Sequence, residues 1–538
     1  MSIRVAIILP PVWSTDTPYL GTATLAAICT ELGTPHQVFD CNLAYWRWLT
    51  TGERKLAILR KLEALPAGHP TRLRLGGCGL ELEAALDCAL ADPKRRRELV
   101  SLVTGDEAAE ATPRLTAPYH DRFFNSMSLS EHALDSEELW RLAHDDRRNP
   151  FGVALSDTLA QIADYHADLV LITVTSVSQA LAAYTIARLL RETTPGAKVA
   201  AGGAWVTALW PSIARAARLM EVIPYLARFD GEATVPGLYA LAAGRAGARD
   251  VPNLVWKDRD GSIVSNDIAA AKKLDDLPTP EFDEFELTRY DYRGTLSLQA
   301  SRGCCYGACT FCSYPLLEPG YRVMSADRVK MHMATLAARH GATTIVFADA
   351  ILAPGFLRRL VSAARDGPLP CRFTGYARFH EQFDPGLFTE LARIGCTGLV
   401  WGLETADPRL QQTLDKALPS LSRIEAILTA AQNAGLENRV TVMYGIPGET
   451  FEQAIATIDF LRTQAPRLHS ITYSRFTLER GTPLAGGANP VDSLGVRDLS
   501  LSMPLPNAFS QVVERAVLAE YGRLDAWLTT RAGSLNVT

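Results

Sequence analysis

No stretch of about 18 consecutive apolar residues occurs in the 538-residue chain, which excludes a membrane-spanning helix. Charge of one sign is not in excess: 54 Lys and Arg stand against 59 Asp and Glu, a net −5. Neither nucleic acid nor an anionic membrane is therefore expected as a partner. The opening MSIRVAIILPPVW is too short an apolar run for a signal peptide and has no small-residue cleavage site, so a cytoplasmic location is expected. Cysteine is sparse, with ten residues, and thiols stay reduced in that compartment. With 47% hydrophobic residues the chain needs no covalent staple. Zinc-ribbon and zinc-finger spacings are missing. Cys29, Cys41, Cys78, Cys88, Cys371 and Cys396 lack a near partner and read as small buried hydrophobes.

What is present is an alternation of apolar strands and helical patterns. RVAIILP, HQVFDCN, ADLVLITVTS and AKVAAGG are strands separated by helical periodicity, which argues for a parallel sheet covered on both faces. A Leu-, Ala-, Arg- and Glu-rich stretch over about 44–148 is too long for a connection and reads as a helical insertion or lid. Asp260-Gly261 marks a hairpin turn and LDDLPTPEFDEF a linker, placing hairpin and linker over 251–290 after a first domain of 1–250. From 291 to 484, six further strand candidates alternate with helices: a partial (β/α)6 barrel of the TIM type, with chemistry expected at the strands' carboxyl ends. A small C-terminal region, 485–538, reads as short helical segments. Fold class is α/β throughout.

Four of the ten cysteines fall within nine positions, in LQASRGCCYGACTFCSYP. Cys305, Cys309 and Cys312 obey Cys-x3-Cys-x2-Cys, and thiolates at that spacing can hold three irons of a [4Fe–4S] cube, leaving the fourth open. Cys304 falls outside that spacing. It reads as a spare thiol, with a ligand or redox-active neighbour as the alternative.

That loop resembles the cluster loop of radical S-adenosylmethionine enzymes. The resemblance implies that the open iron is chelated by S-adenosylmethionine, that one electron releases a 5′-deoxyadenosyl radical, and that Phe311 lies beside adenine. GLVWGLETADPRLQQTLDK is similar to the family's fourth-strand segment, implying Glu404 and Thr405 near ribose or methionine. MYGIPGET is similar to the fifth, where the backbone of Gly445, Ile446 and Pro447 approaches adenine. Arg378 at a strand end is a candidate partner for a carboxylate. Asp349 stands where many relatives carry Gly-Gly-Glu.

The first domain resembles the Rossmann-like cobalamin-binding domain that precedes many such enzymes. This implies ligand-facing loops at Pro10, Asn42, Thr175, Ser176, Gly202, Gly203, Asp230, Gly231 and Glu232. Ligands of open parallel sheets bind beyond the strands' carboxyl ends. The Asp-x-His-x-x-Gly signature is missing, since Leu169 follows Asp164-Tyr165-His166 where glycine is needed. An empty domain therefore stays open as an alternative. The resemblance implies a cobalamin-dependent C-methyltransferase acting on a peptide or small-molecule natural-product intermediate, fed by an electron donor such as flavodoxin or ferredoxin. Non-methylating radical chemistry and a regulator without turnover are the other readings.

Overall fold

The computed structural model describes residues 3–50, 52, 59–60, 63, 135–146, 149–269, 273–291, 294–486, 498–502 and 509–535. Most of the expected insertion over 44–148, with Cys78 and Cys88, lies outside them. The chain divides into two compact units: Met1–Ala271, Pro280–Arg293 and Ser493–Ser500 form the first, and Lys272–Thr279, Gly294–Asp492 and Leu501–Thr538 the second.

The first unit is built on a seven-stranded sheet of order β2-β1-β3-β4-β5-β6-β7. Its strands are β1 (Val5–Leu9), β2 (His36–Asp40), β3 (Leu169–Thr173), β4 (Lys198–Gly202), β5 (Tyr225–Ala227), β6 (Leu254–Lys257) and β7 (Ile263–Ser265). β1 to β5 run parallel and β6 and β7 antiparallel. Every residue of β1 and β3 is buried, as the unbroken apolar runs require of strands covered on both faces. The hairpin expected as a separate element extends this sheet, because β6 pairs with β5. β5, with three residues, is too short for a periodic signal. The chain reverses its direction across the sheet between β1 and β3. A helix, Cys41–Thr50, starts directly after β2, so Asn42 sits in a first helical turn and not in an open loop.

The second unit holds a six-stranded sheet of order β15-β14-β13-β12-β11-β8, parallel throughout. The strands are β8 (Thr295–Leu298), β11 (Thr344–Phe347), β12 (Arg372–Ala377), β13 (Cys396–Glu404), β14 (Glu437–Tyr444) and β15 (Ser470–Arg475). A two-stranded ribbon, β9 (Ser301–Arg302) with β10 (Arg322–Val323), stands apart from it. Burial alternates strictly along β14 and nearly so along β12. The buried set meets the helices. Trp401, fully buried, stacks on Phe379 and abuts Phe383 and Phe388, the last on helix Pro385–Arg393. Its indole donates to Asn438 Oδ1 at 2.9 Å. Tyr376, on the other face, is 52% exposed. The helix-free face is thus the open one. Beyond β15 the described residues include a 25-residue helix, Gln511–Leu535, longer than the short segments expected. Its Tyr521 stacks on Tyr473 of β15 at 4.9 Å.

Candidate active site

In the second unit, the cysteine loop leaves the ribbon after β9 and returns to it at β10. Gly303 opens it with φ +76°, and a Cβ there would lie 1.6 Å from the Gly320 carbonyl oxygen, so only glycine fits. The Gly303 amide donates to Glu318 Oε2 at 2.8 Å, and Glu318 also accepts from the Tyr314 hydroxyl. Before the loop, buried Asp349 accepts from the Ala300 amide (3.0 Å) and the Ser301 hydroxyl (2.5 Å). Burial pushes its carboxyl up to about 7, against the pull of those bonds.

The loop's middle is tied to the turn after helix Pro408–Leu414. Thr310 donates from its amide to Leu414 O (3.0 Å) and from its hydroxyl to Thr413 O (2.7 Å), and the Tyr306 hydroxyl donates to Asp415 O at 2.9 Å. Asp407 caps that helix and accepts from Gln453, whose backbone amide is held by Thr450 in a capping box. Arg378 closes the arrangement: it donates to the carbonyls of Lys416 and Ala417, both at 2.9 Å, and lies over the Tyr306 ring. Its guanidinium serves the protein's own backbone, where a cofactor carboxylate was expected.

Glu404 ends β13 in the left-handed region (φ 63°) and pairs with Lys416. Both side chains are close to nine-tenths buried. A Cβ on Gly402 would lie 2.2 Å from Lys416 Nζ, so the ammonium fills space that glycine vacates. Thr405 is fully buried and bonds Thr457, which places its hydroxyl in the core. The amides of Gly445 and Ile446 both donate to Glu449, a buried carboxyl raised to about 7 by desolvation. Ile446 itself is core, packed with Leu410, Leu414, Phe476 and Leu478; Phe311 rests against the same cluster, and Pro447 is half-buried. Tyr444 is likewise core.

Cys304, Cys309 and Cys312 are half-buried and Cys305 exposed. Burial raises Cys309 to about 11 and raises Cys312, with the Lys416 charge opposing both. Among the described residues, no three His, Cys, Asp or Glu side chains converge as ligands of a single ion do. The donors offered are thiols alone, on one loop, and that chemistry fits an iron–sulfur cluster.

In the first unit, the expected residues at the ends of β1 and β3 are linked by one that sequence reasoning did not single out. Gln179, fully buried, accepts from the Thr175 amide and hydroxyl (2.8 Å each) and donates to Pro10 O at 3.0 Å. The Ser176 hydroxyl meets Ser178, which donates to Val12 O. Gly203 has φ +113°, and a Cβ would lie 2.5 Å from Val174 O; Gly202 packs close to Ala227. Asn42 is buried, accepting from the Trp13 amide and donating to Ser14 O. It shapes the β1 loop from within. Asp230, buried, Gly231 and Glu232 begin helix Gly231–Ala242 at the end of β5. Arg228 beside them donates to the Asn253 and Asn266 carbonyls and faces Trp210. A lone Gln or Arg in an apolar helix or turn carries no spacing signal.

Residues 298–461 match the model of the Radical SAM superfamily. Over 340 residues (62% of this chain, 71% of the other) the chain is 28% identical to an uncharacterized methyltransferase of Pyrococcus horikoshii. Over 100 residues (18% and 13%) it is 28% identical to a 4′-phospho-dehydrooxetanocin synthase of Priestia megaterium. The fold is similar to that of the radical S-adenosylmethionine methyltransferase TsrM from Kitasatospora setae, solved with cobalamin and a [4Fe–4S] cluster: TM-score 0.56, 17% identity, 90% of this chain and 74% of that one. It is also similar to the cobalamin-dependent S-adenosylmethionine radical enzyme OxsB, solved with aqua-cobalamin: TM-score 0.55, 14% identity, 86% and 52%. No described helix is long and apolar enough to cross a membrane.

Proposed function

We propose that this chain, which carries a radical S-adenosylmethionine domain at residues 298–461, is a cobalamin-dependent C-methyltransferase acting on a small-molecule or peptide natural-product intermediate. The observation that carries the reading is the thiol-only loop clasped to the turn at 413–415, which follows β13 of a six-stranded parallel sheet. When bound, the cluster supplies an electron to the sulfonium of S-adenosylmethionine, and the corrinoid a transferable methyl group.

The protein's part is positioning and exclusion of water. Arg378 and Lys416 bring positive charge to the thiols and, through Asp415 and Leu414, hold the loop's shape. Glu449 takes up the Gly445 and Ile446 amides and its own amide donates to the Ile446 carbonyl, which fixes the turn that would approach a purine. In the first unit, Gln179 fixes the β1 and β3 loops, where a parallel sheet with a strand-order reversal receives a ligand. The donor is a low-potential protein such as flavodoxin or ferredoxin.

The match to a Priestia megaterium protein named as a synthase favours a second reading, radical chemistry without methyl transfer. Anaerobic turnover with reductant, cobalamin and labelled S-adenosylmethionine separates the two. Deoxyadenosine together with S-adenosylhomocysteine is the expected result. Deoxyadenosine alone selects the second reading, and no cleavage sinks both.

A further inference from the structure

We propose that Tyr376 selects the substrate: its ring, alone on the helix-free face of the second unit's sheet, is a stacking platform for a planar ring that carries a hydroxyl or N–H donor. This rests on the methyl-transfer reading for the occupant's being the substrate.

The six strands of that sheet carry six aromatic residues, and five of them pack on the helical side or its flanking loops. Phe373 meets Phe347, which meets Phe356 of helix Pro354–Ala363. Trp401 stacks on Phe379, and Tyr444 and Tyr473 lie against Tyr521 of the C-terminal helix. Tyr376 has the opposite parity to Phe373 on β12 and is half-exposed. Among the described residues, no ring or guanidinium stacks on it.

Its neighbours leave room over the ring. Tyr376 pairs with Val400 on β13, and the next positions on that face are Gly398 and Gly402. On the other side, the Phe347–Gly375 pairing sets exposed Ala348 beside it. In α/β barrels the helix-free face is filled with bulky branched side chains. Here one ring stands among glycine, alanine and valine, and it offers its face to an incoming ring, which gains by offset stacking.

The polar groups nearby fix what that ring carries. Thr374, on the same face, donates its hydroxyl to Gly398 O at 2.9 Å, and Thr441 donates to Trp401 O at 3.4 Å. Both hydrogens are committed, so the remaining lone pairs accept. A donor on the ligand answers them. No net charge is called for, because the Lys416 ammonium lodged at Gly402 is matched by Glu404. Arg378, two residues on and about 7 Å along the chain at the ordinary rise of a strand, lies over Tyr306 of the cysteine loop. The platform therefore adjoins the clasp that holds that loop.

The test uses the full chain, prepared without oxygen and reconstituted with iron and sulfide, as wild type, Tyr376→Phe, Tyr376→Leu and Tyr376→Thr. The probes are 2-naphthol, its saturated analogue decahydro-2-naphthol and its methyl ether 2-methoxynaphthalene, titrated by saturation-transfer NMR. Iron, sulfide and thermal unfolding are measured on every variant, to confirm the fold and an intact loop. Tyr376→Phe keeps the ring and should hold 2-naphthol within about twofold of wild type, whereas Tyr376→Leu and Tyr376→Thr should each weaken it about fivefold. The saturated alcohol should bind all four proteins alike. The methyl ether should bind wild type more weakly than 2-naphthol does. Equal 2-naphthol binding by wild type and both ringless variants, or no preference for the planar probe over the saturated one, overturns the proposal. Deoxyadenosine without S-adenosylhomocysteine in the turnover assay refutes methyl transfer instead and leaves the stacking result standing.

Discussion

Arg378 lies over Tyr306, its guanidinium carbon 4.3 Å from the ring centroid, while the Tyr306 hydroxyl donates to Asp415 and the Arg378 guanidinium to Lys416 and Ala417. Two residues distant in sequence thus clasp the cysteine loop to one turn. Arg378→Lys keeps the charge but loses the planar stack and the paired donors. The variant should lose about 1–2 kcal/mol locally. Hydrogen exchange should quicken in peptides spanning 304–312 and 413–417, with the rest of the chain unchanged.

Gln179→Ala leaves the Thr175 amide and the Pro10 carbonyl without their buried partner. A cost of about 1–3 kcal/mol is expected. Cobalamin titrated into the variant should bind several-fold more weakly, whereas reconstituted iron and sulfide should match wild type. Equal loss of both would show a general structural failure and count against a ligand-positioning role.

Lys416→Met strands the buried Glu404 carboxylate. Removing one partner of such a pair costs about 3 kcal/mol, whereas replacing both by apolar groups is often neutral. Thermal unfolding of the cluster-free chain should therefore show Lys416→Met well below wild type. The double variant Lys416→Met/Glu404→Leu should recover most of the difference.

Asp349 keeps its proton to about pH 7 when folded, whereas its ordinary value is 3.8. Between those values the folded chain binds more protons than the unfolded one, so this group's contribution to stability falls as pH rises from about 4 to 7. Glu449, raised to about 7 from 4.5, acts in the same direction. Asp349→Asn should flatten that part of the slope in denaturant midpoints measured across the window. An unchanged slope would mean that Asp349 is ionised throughout.

The strands that sequence periodicity located were those with four or more apolar or alternating residues; β5 has three and is held by its neighbours β4 and β6. Asn42 read as a loop residue because HQVFDCN looks like a strand run, yet Asp40 accepts the Leu43 amide and starts a helix at once. The C-terminal region read as short segments, and Gly522 lies within the long helix that the structure forms there. In the structure nothing crowds that glycine, and Tyr521 beside it docks on Tyr473. The thiol loop was legible because its chemistry is carried by residue type and spacing. Arg378, Thr405 and Ile446 were placed in the right elements, but which atoms their side chains meet is decided by long-range packing that no local pattern encodes.

The ammonium of Lys416 sits where a methyl on residue 402 would otherwise be. Positions 402 and 416 therefore form a lock with one shared volume: Gly402→Ala alone evicts the amine from Glu404, and a shorter side chain at 416 alone leaves a hole beside a lone acid. Only joint replacement keeps the space filled, so a library randomised at both codons should return compensating pairs and few single substitutions.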